Sequence, residues 1–278
     1  MTETLYMNPA LEALETDILE SGVWGTIGPR SVEAADKLAA FVGGKHGLLC
    51  HSADAAYESV LRAVGCAHGD RIVTTALCSP SHVLVAACTG ASPVFCPADN
   101  EIPSLPDPDA LTEYLTDGVR AVVADFTFEC DHTDLYPLDR LSDVCRAHNV
   151  PLILDAGGCV TARWRGEALT KYADAVIVDF GEGSELYAGM GGLVVTDSAD
   201  MMAGAFAYHN CGRAPGDGCT LNFDDIVGGD FRVTEWTAGA ALLLLEQEAF
   251  TSPAPRLLCR MREQPLYGTD YFGKVTGR

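Results

Sequence analysis

The stretch KLAAFVGGKHGLLCHSADAAYESVLRAVGCAHGDRIV, residues 37–73, contains the alternation of elements that decides the fold. It begins inside a helix predicted over 31–44, which we expect Ser31 to cap and Gly43-Gly44 to end. A short apolar strand over 47–50 follows, and then come a polar turn, a helix-length segment and a second apolar strand over 71–75. The apolar face of the first helix consists of Val32, Ala35, Leu38, Ala39 and Val42.

The same pattern continues along the chain. Apolar runs typical of buried strands lie at 47–50, 71–75, 93–96, 121–126, 151–154, 175–178 and 192–196, and helix-length segments such as 137–148 separate several of them. Runs this continuous do not suit a strand with one wet face, so they favour a mainly parallel sheet that is covered on both sides. We therefore predict a three-layer α/β/α sandwich.

In such a sheet the chemistry collects at the carboxyl ends of the strands. Polar residues follow four of the predicted strands, at His51, Ser52, Asp54, Asp125, Asp155 and Asp179. These positions are the first candidates for a functional site.

Length and composition indicate a folded globular protein. The 278 residues, 48% of them hydrophobic, suffice for one large domain. We expect an N-terminal arm over 1–30, a large domain over 31–250 and an extension over 251–278 that is rich in Pro, Gly and Arg. The N-terminus is acidic where a signal peptide would be basic, and no apolar run approaches about 20 residues. This predicts a cytoplasmic protein that does not enter a membrane.

Charge and cysteine content exclude several classes of function. The formal charge of −21 repels nucleic-acid phosphates and anionic membranes, so neither is an expected partner. The acidity either favours a cationic substrate or a basic partner, or only keeps the protein soluble. The 11 cysteines form no C-x-x-C pair, which argues against a zinc finger or a disulfide framework.

Four segments in a fixed order carry a family resemblance. They are Ser52-Ala53-Asp54-Ala55-Ala56 with Gly65 and Gly69-Asp70, then HNVPLILDAGG ending after Asp155, then VIVDFGEGSELYAGMGG, and then GGDFRVTEWTAG. Over about residues 22–245 the chain resembles the large domain of the DegT/DnrJ/StrS-type aminotransferases of fold-type I. The resemblance implies pyridoxal phosphate as cofactor, nucleotide-linked keto-sugars or aminocyclitols as substrates, and a dimer. It also implies that Asp155 pairs with the pyridine nitrogen.

The chain departs from the family pattern at the cofactor lysine. Ser184 stands where the resemblance places the lysine that binds the cofactor covalently, and no lysine occurs between Lys171 and Lys274. A serine supplies neither the amine nucleophile nor the proton shuttle of that lysine. We therefore expect conventional transamination to be lost.

Further departures concern the phosphate contacts. Asp54, Asp179 and Asp230 replace a threonine, a serine and an asparagine, the last of which reaches the neighbouring subunit's phosphate in the family's dimers. A pair of unit charges 4 Å apart at an effective dielectric constant near 20 interacts by about 4 kcal/mol. From this repulsion we expect that pyridoxal phosphate does not bind.

These departures lead to a first hypothesis, a repurposed enzyme of specialised metabolism that works without pyridoxal phosphate. The candidate metal ligands, for magnesium, manganese, iron or zinc, are Asp54, Asp179, Asp230, His51 and His82. A cationic small-molecule substrate would use Ser52, Asp54, Asp179 and Asp230. The candidate catalytic residues are Ser184, Asp155 and Glu182.

Two alternatives stay open at this point. The chain could be an inactive subunit that pairs with a full-length aminotransferase rather than with itself, or it could hold pyridoxamine phosphate without a covalent bond. The three aspartates argue against the second alternative. The run Glu129-Cys130-Asp131-His132 offers metal-ligand side chains, but a solvated loop is the favoured interpretation.

Overall fold

The structure, a computed structural model, describes residues 9–100, 102–126, 136–213, 226–254 and 259–264. The helices in these ranges are α1 (Pro9–Ser21), α2 (Pro29–Val42), α3 (Ala53–Ala63), α4 (Pro80–Thr89), α5 (Pro108–Leu111), α6 (Leu138–Ala147), α7 (Ala199–His209) and α8 (Glu235–Glu246). The strands are β1 (His46–Cys50), β2 (Arg71–Thr75), β3 (Leu77–Cys78), β4 (Ser92–Cys96), β5 (Val119–Asp125), β6 (Leu152–Asp155), β7 (Ala175–Asp179), β8 (Gly192–Thr196) and β9 (Cys259–Arg260). Short 3-10 helices lie at Thr112–Tyr114, Leu169–Lys171 and Met261–Glu263.

A mixed sheet forms the centre of the fold. Its strand order is β1-β8-β7-β6-β5-β2-β4, in which β4, β2, β5, β6 and β7 run parallel and β8 is antiparallel to both β1 and β7. The prediction of a mainly parallel sheet in an α/β sandwich is confirmed. The short strands β3 and β9 pair separately, and the sequence pattern did not predict them because two residues have no measurable period.

Alternation along the central strands distributes the core over two layers. Leu152 and Leu154 of β6 pack on the side of α2, α6 and α8. Ile153 packs on the opposite side, against α3, α4 and α7. Because successive side chains of a strand point to opposite faces, both faces must be covered by helices.

Helix α2 differs at its N-terminus from the prediction. It begins at Pro29, so Ser31 is buried within the first turn and donates its hydroxyl to the carbonyl of Gly28. The prediction that Ser31 caps the helix is wrong, because proline suits the first helical position and a carboxylate from α8 supplies the cap. That carboxylate is Glu235, which accepts from the backbone N–H groups of Arg30 and Ser31 at 2.9 Å each.

Other parts of α2 match the prediction more closely. Gly43 follows the helix with a left-handed backbone at φ 100°, as expected for the residue that ends it. Val32, predicted on the apolar face, is 52% exposed. The proposed boundaries of the arm and the extension remain predictions. Among the residues described, none of the helices combines the length and hydrophobicity that crossing a bilayer requires.

Candidate active site

Three aspartates end neighbouring parallel strands on one face of the sheet. Asp125 of β5 and Asp155 of β6 are opposite each other in register, and Asp155 lies opposite Ile177, two residues before Asp179 of β7. Side chains two residues apart on a strand share a face. The strand-end positions singled out in the sequence therefore meet at the edge of the sheet next to α3 and α4.

Asp155 is buried and held from two sides. One of its carboxylate oxygens, Oδ1, accepts from the backbone N–H of Gly157 at 2.8 Å. The other, Oδ2, lies 3.0 Å from Nε2 of His82, which stands in the first turn of α4. The second ring nitrogen of His82, Nδ1, lies 3.6 Å from Oδ2 of Asp125.

The two carboxylates determine the charge of His82. Burial by itself lowers the pKa of this histidine, but the charge of Asp125 and the hydrogen bond to Asp155 outweigh burial and raise the pKa to about 10. His82 is therefore an imidazolium at neutral pH. Nε2 donates a hydrogen bond to Asp155, and Nδ1 faces the carboxylate of Asp125.

The N-terminus of α3 lies beside this edge. Ser52 caps the helix by accepting from the N–H of Ala55 at 3.1 Å. Gly192 of β8 is so close that a Cβ there would stand 2.5 Å from the carbonyl oxygen of Ser52. Gly192 also pairs with Asp179, so the helix N-terminus reaches the end of β7. A helix N-terminus is a favourable place for an anion, and the exposed Asp54 in the first turn weakens that preference.

Ser184, at the position of the family's lysine, and the candidate residues near it differ in exposure. Ser184 is 2% exposed and packs against Gly158, where a Cβ would stand 2.6 Å from the Cα of Ser184. Glu182 is exposed. Asp179 is half-buried and accepts from the N–H of Gly181 at 2.9 Å. The structure thus brings Ser184 near the end of β6 and leaves Glu182 in solvent.

Asp230 and His51 lie apart from the buried aspartates. Both oxygens of Asp230 accept from the guanidinium of Arg232, at 2.7 and 2.9 Å, and these hydrogen bonds lower the pKa of the carboxyl. The charge of Asp230 is therefore compensated within the chain. His51 is exposed and contacts the ring of Phe231 edge-on, with ring centroids 5.5 Å apart.

The candidate metal ligands are not gathered as expected. Within the described ranges, one group of at least three His, Cys, Asp or Glu side chains has ligand atoms within 4.8 Å of one another, and it consists of His82, Asp125 and Asp155. Asp54, Asp179, Asp230 and His51 belong to no such group there. The run 129–132 lies outside the described residues.

Sequence reasoning missed the partners of these residues rather than the residues themselves. Asp125 was singled out as a strand end, and His82 as a metal ligand, but nothing in their spacing linked them to each other. Tyr57, whose ring lies 5.6 Å from that of His82, carried no signal beyond helical burial. Arg232 stands in the fourth segment of the resemblance, where its neighbour Asp230 could have been recognised as a partner.

Comparisons with known proteins identify the family of the chain. The profile of the DegT/DnrJ/EryC1/StrS aminotransferase family matches residues 8–252. The chain belongs to this family. The resemblance inferred from the four segments is confirmed.

Individual members show how far the similarity extends. The spore coat polysaccharide biosynthesis protein SpsC of Bacillus subtilis is 31% identical over 186 residues, which are 67% of this chain and 46% of SpsC. The L-glutamine:2-deoxy-scyllo-inosose aminotransferase of Streptoalloteichus tenebrarius is 27% identical over 86% of this chain and 57% of its own length. The crystal structure of 3-amino-5-hydroxybenzoic acid synthase superposes with a TM-score of 0.75 at 26% identity, covering 87% of this chain and 62% of that one. The chain spans about half the length of the curated relatives it matches.

The comparisons correct the expectation about the cofactor. The chain was expected to be a repurposed enzyme that binds no pyridoxal phosphate and uses a divalent metal. Relatives are instead named as aminotransferases and sugar-modifying enzymes of that kind, among them L-glutamine:2-deoxy-scyllo-inosose aminotransferase and the GDP-perosamine synthase of Caulobacter vibrioides. NtdA of Bacillus subtilis, solved with bound pyridoxamine phosphate, shares the fold with a TM-score of 0.71 at 16% identity over 86% of this chain and 52% of its own. The expectation of a pyridoxal-phosphate-independent, metal-using enzyme is wrong. The repulsion argument behind it counted Asp230 as a bare charge, whereas Arg232 neutralises it.

The residues present fit the cofactor at its pyridine end. Asp155 offers a buried carboxylate at the position that the resemblance assigns to the ring nitrogen. The N-terminus of α3, which Ser52 caps and which packs closely against Gly192, has the backbone N–H groups and the dipole that suit a phosphate. What the site does not offer is a covalent attachment, because Ser184 has no amine.

Proposed function

We propose that the chain binds a phosphorylated form of vitamin B6, pyridoxamine phosphate or pyridoxal phosphate, without a covalent bond. We further propose that it takes part in amino transfer to a cyclic keto-sugar or keto-cyclitol. The binding proposal depends on one observation, the buried Asp155 at the end of β6 with a cationic partner behind it. The names of the curated relatives support the substrate class.

Each residue has a defined task in this proposal. Asp155 accepts a hydrogen bond from the N–H of the protonated pyridine ring, and its negative charge raises the pKa of that ring nitrogen. Ser52 and the first turn of α3 orient the phosphate through backbone N–H groups. When bound, the cofactor supplies an electron-withdrawing ring. The burial of Asp155 and Ser184 excludes water from the ring-binding side.

Two carboxylates near the expected phosphate position should lower the affinity for the cofactor. Asp179 is half-buried beside the end of β7, and Asp54 is exposed in the first turn of α3. Their charges weaken phosphate binding without abolishing it, because a pair facing water is strongly screened. We expect weaker binding than in a protein that adds a covalent bond to the same contacts.

The test measures the affinity for pyridoxamine phosphate by isothermal titration calorimetry. A hydrogen bond to a charged group contributes about 1.5–3 kcal/mol, so Asp155→Asn is expected to weaken binding by roughly 10- to 100-fold. Asp143→Asn, on the exposed side of α6, is the matched control and should bind as the wild type does. The proposal fails if the wild type shows no saturable binding, or if Asp155→Asn binds equally well.

We also propose that the chain pairs with a second copy of itself. Exposed apolar side chains cluster in one segment, with Trp24 at 51%, Ile27 at 41% and Val32 at 52% exposure. Ile27 and Val32 border a cavity of about 160 Å³ that Arg232 also lines, next to Asp230. In the family resemblance, the position of Asp230 faces the neighbouring subunit.

Sedimentation equilibrium tests the dimer. The wild type is expected to sediment as a dimer and Trp24→Glu as a monomer, because a charge in an apolar interface costs several kcal/mol unless it is paired. A monomeric wild type at micromolar concentration would contradict the proposal.

A further inference from the structure

Two cysteines lie directly opposite each other in the small sheet of β3 and β9. Cys78 of β3 and Cys259 of β9 are partners in the antiparallel register. Cys78 is buried, Cys259 is half-buried, and both are free thiols. None of the other strand registers within the described ranges places two cysteines opposite each other. The pair therefore differs from the other cysteines that the structure describes.

The register sets the spacing of the two cysteines. Opposite residues of an antiparallel pair have Cα atoms about 4.5 to 5.5 Å apart, and their side chains share one face. Disulfide bonds join cysteines whose Cα atoms are about 4.4 to 6.8 Å apart. Cys259 also packs against the apolar cluster that contains Cys78. The backbone therefore already has the Cα spacing that a disulfide between these two residues requires.

Contacts that follow Cys259 hold β9 in this register. The backbone N–H of Met261 donates to the carbonyl of Ala76 at 2.9 Å, and the side chain of Met261 is buried. The guanidinium of Arg262 lies over the ring of Phe95, 5.2 Å from its centroid. Groups that are held together in this way react with each other more readily than groups on separate molecules. The segment 259–264 thus presents Cys259 to Cys78 before any covalent bond forms.

We propose that Cys78 and Cys259 form a reversible disulfide that ties the segment 259–264 to β3. The oxidant is a low-molecular-weight disulfide such as oxidised glutathione. The thiolate of Cys259, the more accessible of the two cysteines, attacks one sulfur of the oxidant, forms a mixed disulfide and releases one thiol. The thiolate of Cys78 then attacks the Cys259 sulfur and releases the second thiol. Two electrons pass from the cysteines to the oxidant, and the two cysteine protons end on the released thiols.

The bond would couple the redox state of the chain to the surroundings of the candidate site. Strand β3 ends at Cys78, and α4, which carries His82 in its first turn, begins two residues later. The segment 259–264 also forms one wall of a cavity of about 450 Å³, to which Leu77 and Arg260 contribute. Oxidation fixes this wall in place. The proposal does not depend on the proposed function.

The first test equilibrates the wild type in glutathione buffers from fully reduced to fully oxidised. The remaining thiols are then alkylated, and a tryptic digest is analysed by mass spectrometry. We expect two peptides linked through Cys78 and Cys259, lighter than the sum of the unmodified peptides by two hydrogen atoms, and we expect dithiothreitol to separate them. Cys259→Ser should give no link at Cys78. Cys88→Ser, at the exposed cysteine of α4, is the matched control and should form the link as the wild type does.

Hydrogen exchange tests whether the bond holds the segment. The backbone amides of 259–264 should exchange at least tenfold more slowly in the oxidised than in the reduced wild type, because the bond restricts local opening of β9 away from β3. The same oxidising buffer should leave the exchange of these amides unchanged in Cys259→Ser.

Three results would overturn the proposal. The first is a folded wild type that shows no link between Cys78 and Cys259 over the whole range of glutathione buffers. The second is a link from Cys259 to Cys88 or Cys96 in equal yield, since the register would then not select the partner. The third is a link that forms without slowing the exchange of 259–264. The wild-type titration needs no variant, so it decides even if Cys259→Ser does not fold.

Discussion

Replacing Glu235 should destabilise the protein more than any exposed acidic substitution on the same helix. Its carboxylate is fully buried and accepts from the N–H groups of Arg30 and Ser31, both at 2.9 Å, with the Arg30 side chain 3.9 Å away. Hydrogen bonds to a charged group contribute about 1.5–3 kcal/mol each. Glu235→Ala leaves two donors in the first turn of α2 without their acceptor, so we expect a loss of about 3–5 kcal/mol.

The loss is large compared with the total stability of a folded protein, about 5–15 kcal/mol. Urea denaturation followed by circular dichroism measures it as a shift of the midpoint at unchanged slope. Glu235→Gln keeps one acceptor oxygen and should lose less than Glu235→Ala. Glu246→Ala, on the exposed end of α8, is the control and should move the midpoint little. If Glu235→Ala costs under about 1 kcal/mol, the carboxylate does not anchor α2 to α8 and this reasoning is refuted.

Three further predictions concern the site. Folding raises the pKa of His82 from 6.5 to about 10. The charge of His82 therefore stabilises the fold fully below pH 6.5, and this stabilisation is lost as the pH rises toward 10. Between pH 7 and 10, the urea midpoint of the wild type should fall more steeply than that of His82→Gln. Ser184→Lys should form an adduct with pyridoxal phosphate that borohydride reduces and mass spectrometry detects. The wild type and the exposed control Glu182→Lys should form no such adduct. If Ser184→Lys forms none, position 184 does not face the cofactor. Asp179→Ser should bind pyridoxamine phosphate roughly tenfold more tightly, about 1.4 kcal/mol, with no change for unphosphorylated pyridoxamine; equal gains for both ligands would show that the phosphate does not lie near Asp179.

The strands were predictable from sequence because burial on both faces leaves a simple signal. The strands predicted at 71–75 and 192–196 have the same bounds in the structure, and the others differ by one or two residues. The start of α2 was not predictable, because the group that caps it is Glu235, some 200 residues away in the chain. A local pattern cannot report a contact of that range.

The candidate site was predictable in position but not in pairing. Strand-end reasoning located Asp125, Asp155 and Asp179, since parallel strands bring their carboxyl ends to one edge. It treated His82 as a metal ligand and Asp230 as an uncompensated charge. The partners of His82 come from strand register, which composition and spacing do not encode, whereas Arg232 stands two residues from Asp230 and could have been recognised. Counting charges without their partners led to the wrong conclusion about the cofactor.

The central claim is that Asp155 receives the pyridine nitrogen of a cofactor that is not covalently bound. A crystal structure of the chain with pyridoxamine phosphate tests it most directly. The account predicts a ring nitrogen within hydrogen-bond distance of the Asp155 carboxylate, His82 on the far side of that carboxylate, and the phosphate at the N-terminus of α3 beside Ser52. A cofactor bound elsewhere, or a ring nitrogen that contacts no carboxylate, would contradict it.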